Sequence, residues 1–174
     1  YMKNEMEKRY IDLLYGDWKW ESNPYTFKFK NNSPKSTIME DPFNRFVISG
    51  WGGASNLMIK SEVMDEIGGC DKKLFVQDFS IPLRVAGNHL KSKNANRFCI
   101  GRTNKLVCIG PKNVKERVMS VSGQTLYDLS LGTLNFLDEC KLIEKRILNK
   151  SLKKIISRCW SWRKTTKKIR IFDR

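Results

Sequence analysis

Apolar residues recur at spacings of three and four positions in five segments of the chain, which is the period of an amphipathic helix. The pattern predicts helices over 2–16, 62–67 and 79–86, and two longer ones, the first from Ser120 or Ser122 to about Cys140 and the second over about 143–162. Gly16 and the pair Gly68-Gly69 are placed to end two of these helices, because glycine readily adopts the left-handed conformation found there.

Shorter apolar runs predict strands between these helices. Alternating aromatic residues indicate a strand over 25–29, and compact apolar runs indicate strands over 45–50 and 55–59. The segment 96–108 predicts a hairpin whose turn is Arg102-Thr103-Asn104, and residues 38–44 are predicted to form a loop. The aromatic residues Trp18, Trp20, Tyr25, Phe27 and Phe29 are interpreted as core side chains of an edge strand, with a sugar-binding platform as the alternative.

The composition is that of a globular protein, with 174 residues of which 40% are hydrophobic. Five scattered cysteines without a Cys-x-x-Cys pair, and the single histidine His89, argue against a structural zinc site. We expect reduced thiols in or near the core. No apolar run reaches the ~20 residues that a membrane-spanning helix needs, and no leader peptide is visible after Tyr1.

The positive charge is concentrated at the C-terminal end. Residues 141–174 contain thirteen lysines or arginines and two acids, so they carry +11 of the net charge of +15. Such asymmetry favours an anionic partner, such as a membrane surface or a polyanion. Lys150, Lys153, Lys154 and Arg158 are predicted to share one helical face, opposite the apolar face, as in membrane-surface helices. Nucleic acid is not expected as the partner, because no ordered aromatic platform accompanies the basic residues.

The stretch from Trp51 to Ala86 carries an ordered set of short motifs. It runs through a Gly-Gly-x-Ser-Asn-hydrophobic sequence, a helical pattern, Gly-Gly-x-Asp, three apolar residues, x-Asp and Leu-Arg. This order resembles the acceptor-side half of family 2 glycosyltransferases with the GT-A fold. The chain departs from that pattern at Gln77, where an acidic residue is usual, and at Cys70, where an aromatic residue is usual.

The resemblance implies a partial α/β domain of the GT-A type, with a short mixed sheet, flanking helices and additional C-terminal helices. On this basis residues 1–140 form the acceptor-side portion and residues 141–174 form a basic amphipathic helical tail. The implied activity is sugar transfer from a nucleotide-sugar to an acceptor hydroxyl in bacterial surface glycan synthesis. The alternative is a non-catalytic basic domain that binds a membrane or another polyanion.

The resemblance also assigns roles to individual residues. Asp78 matches the catalytic base that takes the proton of the acceptor hydroxyl, although an aspartate there could equally cap the following helix. Arg84 matches a recurrent arginine, for which we favour an ion pair over substrate contact. The remaining predicted substrate-binding residues are Trp51, Gly52, Gly53 and Gln77.

The nucleotide-binding half of such enzymes is not recognisable in this sequence. That half ends in an Asp-x-Asp motif that holds Mg²⁺ or Mn²⁺ against the donor diphosphate, and the chain contains no Asp-x-Asp. We therefore expect a divalent cation only in the full-length enzyme, with no ligands for it here. We also expect the chain to be the C-terminal portion of a longer enzyme or a truncated product, inactive alone. The expected location is cytoplasmic, peripheral at the inner face of the membrane, where lipid-linked acceptors reside.

Overall fold

A four-stranded mixed sheet lies at the centre of the computed structural model, which describes residues 1–28, 33–49, 54–75, 77–113, 115 and 122–172. The strands are β1 (Leu13–Glu21), β2 (Ser36–Ile38), β3 (Leu57–Ile59) and β4 (Ile100–Pro111). Their order across the sheet is β2-β4-β1-β3. The central strands β1 and β4 are parallel, whereas β3 is antiparallel to β1 and β2 is antiparallel to β4.

Helices flank this sheet and extend the chain at both ends. They are α1 (Met2–Arg9), α2 (Pro42–Ser49), α3 (Ser61–Glu66), α4 (Ser80–Gly87), α5 (Ser122–Glu139) and α6 (Lys145–Phe172). Four short 3-10 helices lie at Pro24–Thr26, Ala54–Asn56, Gln77–Phe79 and Asn88–Leu90. The predicted α/β class, a short mixed sheet with flanking helices and further C-terminal helices, is confirmed at this level.

The two faces of β1 supply two cores because successive strand residues point to opposite sides of the sheet. Leu13 and Tyr15 join the main core, which contains side chains from α2, α3, α4, α5 and α6. Leu14 faces the other way and packs with Met6 and Ile11 under α1. Both faces of this half of the strand are therefore covered.

The predicted helix over 2–16 is wrong beyond Arg9. Tyr10 adopts a left-handed conformation with φ of 55° and ends α1, and the apolar residues that follow form the start of β1. Gly16 does not end a helix but lies within β1, where an added Cβ would be 2.4 Å from Val107 Cγ2. The helical spacing was misleading because a strand buried on both faces is apolar at consecutive positions.

The predicted loop over 38–44 is confirmed only for residues 39–41, because Ile38 ends β2 and α2 begins at Pro42. The predicted strand over 45–50 is wrong, because residues 45–49 belong to α2. The Asp41 carboxylate accepts a hydrogen bond from the Asn44 backbone N–H at 3.3 Å, and Pro42 follows at the first helical position. These are helix-start signals. The apolar run that resembled a strand is the buried side of a short helix.

The predicted hairpin over 96–108 is wrong, because residues 100–108 belong to a single strand, β4. Thr103 is fully buried at the position assigned to the turn, and its hydroxyl lies 3.0 Å from the Tyr1 hydroxyl. Asn104 accepts a hydrogen bond from the Lys35 backbone N–H at 2.7 Å. Polar residues thus continue through the strand because distant segments satisfy them.

The interpretation of the aromatic cluster as core side chains is wrong for Trp18, Trp20 and Tyr25, whereas Phe27 is half-buried. Trp18 and Trp20 lie on β1 with exposed rings, and Tyr25 is 95% exposed in a 3-10 helix instead of a strand. Phe29 lies outside the described residues. The two tryptophan rings contact each other edge to face at 4.7 Å between centroids.

The remaining helix predictions are confirmed. Helices α3, α4 and α5 lie where the pattern placed them, and α6 continues beyond the predicted end to Phe172. Gly68 and Gly69 follow α3 with φ of 74° and 72°, as expected for a diglycine that ends a helix.

Candidate functional site around Asp78

The segment between α3 and α4 places Asp78 at the edge of the core. Its first part is held by Asp71, whose Oδ1 accepts a hydrogen bond from the Lys73 backbone N–H at 2.9 Å. Asp71 Oδ2 accepts a second one from Asn135 of α5 at 3.1 Å, and its backbone N–H donates to the Ser80 hydroxyl at 2.9 Å. These bonds tie the segment to both α4 and α5.

Leu74 anchors the same segment through apolar packing. Its side chain is buried, and a Cβ added at Gly132 of α5 would lie 2.6 Å from Leu74 Cδ1. The absence of a side chain at Gly132 therefore makes room for Leu74. With Leu74 and Asp71 fixed, the position at which the chain enters the next helix is constrained.

Asp78 lies in the 3-10 helix Gln77–Phe79, immediately before α4, and is half-buried. Phe79 occupies the N-cap position of α4, and no side-chain hydrogen bond caps that helix. The carboxylate is thus one residue before the cap. It is close enough to the buried Tyr15 phenol to influence its ionisation.

The pKa of Tyr15 is raised far above its ordinary value, first by burial and then by the negative charge of Asp78. Both causes disfavour the phenolate, since burial penalises charge and a neighbouring anion repels it. Tyr15 therefore stays a neutral phenol at physiological pH. Its ring packs against Phe46 of α2, with 5.7 Å between centroids.

Polar side chains follow Tyr15 on the same face of the sheet. Arg102 of β4 is the register partner of Tyr15, so both side chains lie on one face of the sheet. Arg102 donates a hydrogen bond to Asp17 of β1 at 3.1 Å, and both side chains are partly exposed.

Arg102 also lines a groove of about 440 Å³ at the β2 side of the sheet. The groove carries two arginines and two acids, so its lining is strongly charged. Its lining residues are Thr37, Ile38, Met39, Glu40, Asp41, Arg45 and Arg102. Asp78 does not belong to this lining. The sequence did not indicate the groove, because it joins α2 and β4, which were both assigned differently.

The predicted site residues are only partly brought together. Trp51, Gly52 and Gly53 lie outside the described residues, and so does the side chain of Gln77. Arg84 Nε donates to the Ile67 carbonyl at 3.0 Å, and Arg84 Nη1 lies 3.3 Å from Glu139 Oε1. Arg84 thus makes an ion pair with α5 and joins the end of α3 to it.

No group of three or more histidine, cysteine, aspartate or glutamate side chains is placed to hold a metal ion within the described ranges.

The basic face predicted for α6 is wrong at Arg158. This side chain is only 5% exposed, and its Nη2 donates to the Val47 carbonyl of α2 at 2.7 Å. Lys150 and Lys153 are exposed, as predicted for a basic face. Across the part of the chain that the structure describes, no helix is long and apolar enough to cross a membrane.

Comparison of the chain with models of known protein families, with curated proteins and with solved structures gives no match. The site must therefore be interpreted from its own geometry and from the order of motifs along the chain.

Proposed function

We propose that the chain is the acceptor-side portion of a glycosyltransferase of the GT-A type, with Asp78 as the general base. The substrates are a nucleotide-sugar and an acceptor hydroxyl on a glycan or a lipid-linked intermediate, in bacterial surface glycan synthesis at the cytoplasmic face of the membrane. Trp51, Gly52, Gly53 and Gln77 are proposed to line the substrate site near this base.

One observation carries the proposal: a half-buried carboxylate stands at the start of α4, behind a diglycine turn and an anchored apolar residue. A half-buried carboxylate retains access to a substrate, while nearby packing limits its motion. The order of the elements is the one in which the resembling family presents its base. The ordered motifs and the placement of Asp78 together favour this function over others.

The proposed chemistry requires one proton transfer on this side of the site. Asp78 accepts the proton of the acceptor hydroxyl while the oxygen forms a bond to the anomeric carbon of the donor sugar. The bond from that carbon to the diphosphate breaks, and the nucleoside diphosphate leaves with the electron pair. The proton remains on Asp78 until it is released to solvent.

Tyr15 supports this assignment by being unable to act as the base itself. Because burial and the charge of Asp78 raise the pKa of Tyr15, the phenol stays protonated. Asp78 is then the candidate base of this pair.

The test is a transfer assay with the complete protein that contains this chain, using labelled uridine and guanosine diphosphate sugars and membrane extract as the acceptor source. Asp78→Asn should reduce transfer on the order of a thousandfold while leaving donor binding unchanged, because only proton removal is lost. Asp65→Asn, an exposed carboxylate on α3, is the matched control and should retain activity.

Two results would contradict the proposal. One is a complete protein that transfers no sugar from any donor; the other is an Asp78→Asn variant with undiminished transfer. We also expect the isolated chain to give no calorimetric signal with nucleotide-sugars. Inactivity of the complete protein would favour the alternative, a non-catalytic domain that binds an anionic membrane or another polyanion.

A further inference from the structure

Helix α6 carries two apolar stripes that differ in packing within the described part of the helix. The packed stripe includes Ile155, buried in the main core, and Trp162, whose ring contacts Tyr127 of α5 at 5.5 Å between centroids. The second stripe, called the outer stripe here, consists of Leu152, Ile156 and Trp160. These three residues are four positions apart, so they lie side by side along the helix.

The outer stripe is open to solvent. Ile156 is 68% exposed and Trp160 is 58% exposed, while Leu152 is exposed to a smaller extent. Single exposed apolar residues are ordinary, but a contiguous row marks a surface that binds something.

The apolar surface also continues from α6 onto α5. Leu152 lines a groove of about 410 Å³ between α5 and α6 together with Leu134, which is itself exposed. The other residues of the groove are Leu137, Leu148, Asn135 and the exposed Asp138 of α5. The exposed patch is therefore wider than one row of side chains.

Positive charge borders the outer stripe. Lys153 is exposed one position after Leu152, and Lys164 Nζ lies 5.5 Å from the centre of the Trp160 ring. The sequence 145–172 contains no acidic residue at all. Arg158 is buried against α2 and does not contribute to this border. The helix itself thus presents apolar side chains with cations beside them and contributes no anion, while one carboxylate of α5, Asp138, lies at the Leu152 end of the stripe.

We infer that the outer stripe of α6 is a docking surface for a bilayer that contains anionic phospholipid, with the helix lying in the plane of the interface. Ile156 and Trp160 enter the boundary between headgroups and acyl chains, and the lysines reach the phosphates with their stems along the apolar surface. This inference goes beyond the proposed sugar transfer and does not depend on Asp78.

The positive charge of α6 favours a bilayer over the two other possible occupants of the outer stripe, a second copy of the chain and a nucleic acid. A second copy of the chain would bring two strongly positive helices together, which like-charge repulsion opposes. A nucleic acid would contact the lysines but would leave Ile156 and Trp160 in water. An anionic lipid surface satisfies the charges and buries the apolar residues together.

The experiment is sedimentation of the full chain with vesicles of phosphatidylcholine alone or with about 30% phosphatidylglycerol, at low and high salt. The chain should bind the anionic vesicles and not the neutral ones. The double variant Ile156→Ser with Trp160→Ser should weaken binding about tenfold, because the insertion of apolar side chains is lost. Phe75→Ser, a similarly exposed apolar residue outside α6, is the matched control and should bind like wild type.

A second measurement locates the insertion. Vesicles should shift the tryptophan emission of the wild-type chain to shorter wavelength, and Trp160→Phe should remove most of that shift while retaining binding. The double variant replaces solvent-exposed side chains, so circular dichroism should show unchanged helix content and exclude unfolding as the cause.

Three outcomes would overturn the inference. Equal recovery with both vesicle types, or no binding at all, would exclude docking on anionic lipid. Charge alone would explain the attraction to the vesicles if the double variant Lys153→Gln with Lys164→Gln lost binding while the double apolar variant kept it. A chain that is dimeric without vesicles, and becomes monomeric only in the double apolar variant, would assign the outer stripe to self-association.

Discussion

Two arginines in the described part of the molecule donate hydrogen bonds to carbonyls at the ends of two helices. One of them has a carboxylate partner, whereas the described acceptors of the other are neutral. Arg84 of α4 donates to the Ile67 carbonyl at the end of α3, and Arg158 of α6 donates to the Val47 carbonyl near the end of α2. The last carbonyls of a helix lack partners within it and carry partial negative charge, so a guanidinium is favourable at either place.

The difference lies in what balances the charge. Arg84 has a carboxylate partner in Glu139, and both side chains retain contact with water. Arg158 is buried, and its acceptors are the Val47 and Ile48 carbonyls and the Thr133 hydroxyl. Burial lowers the pKa of the Arg158 guanidinium, although an arginine remains charged at physiological pH. The carbonyls of Val47 and Ile48 near the end of α2 are therefore bound by a buried cation.

The largest effect is expected at Arg158. Arg158→Met should lower the free energy of unfolding by about 3 kcal/mol, because it leaves the buried carbonyl of Val47 without its donor. Urea denaturation followed by circular dichroism measures this change. Arg158→Lys keeps the charge but not the planar fork of donors, so it should recover less than half of the loss. A variant as stable as wild type would show that the buried cation is not needed.

A smaller effect is expected at Arg84. Arg84→Met should lower the free energy of unfolding by about 1.5 kcal/mol, since Arg84 and Glu139 are partly exposed and water weakens their ion pair. Glu139 would keep its second partner, Lys91, at 2.8 Å. The matched variant Glu139→Gln should cost only about 0.5 kcal/mol. The comparison would be reversed if Arg84→Met proved more damaging than Arg158→Met in the same denaturation experiment.

The smallest effect concerns the turn that follows α3. Gly69 has φ of 72° and nothing within 4 Å of an added Cβ, so Gly69→Ala introduces backbone strain without a clash. It should cost about 1 kcal/mol, and Gly69→Asn should cost less, because asparagine tolerates the left-handed region better. Thermal unfolding of the two variants separates these values. Equal costs for both would point to a cause other than backbone conformation.

The sequence was most informative where structure is determined by neighbouring residues. The diglycine after α3, the helix behind Asp78 and the two long C-terminal helices all follow from local spacing and helix-end signals. Their predictions held because each signal and its consequence lie within one or two turns of the chain.

The sequence was least informative where a distant partner decides the conformation. Thr103 continues a strand because Tyr1 satisfies its hydroxyl, and Arg158 is buried because the end of α2 accepts its hydrogen bonds. The spacing of apolar residues along the sequence gives no information about such distant partners. The groove beside Arg102 was missed for the same reason, since it forms only when α2 and β4 come together.

The parallel pairing of β1 with β4 has a consequence for how the chain folds. Leu13 pairs with Ile100, so the start of β4 must return to the start of β1 before the two strands can pair. The whole chain segment between the two strands forms the loop that has to close. Closing so large a loop costs entropy before any ladder hydrogen bond forms. Folding should therefore be slow for a chain of this length, with the helical hairpin of α5 and α6 free to form before the sheet is assembled.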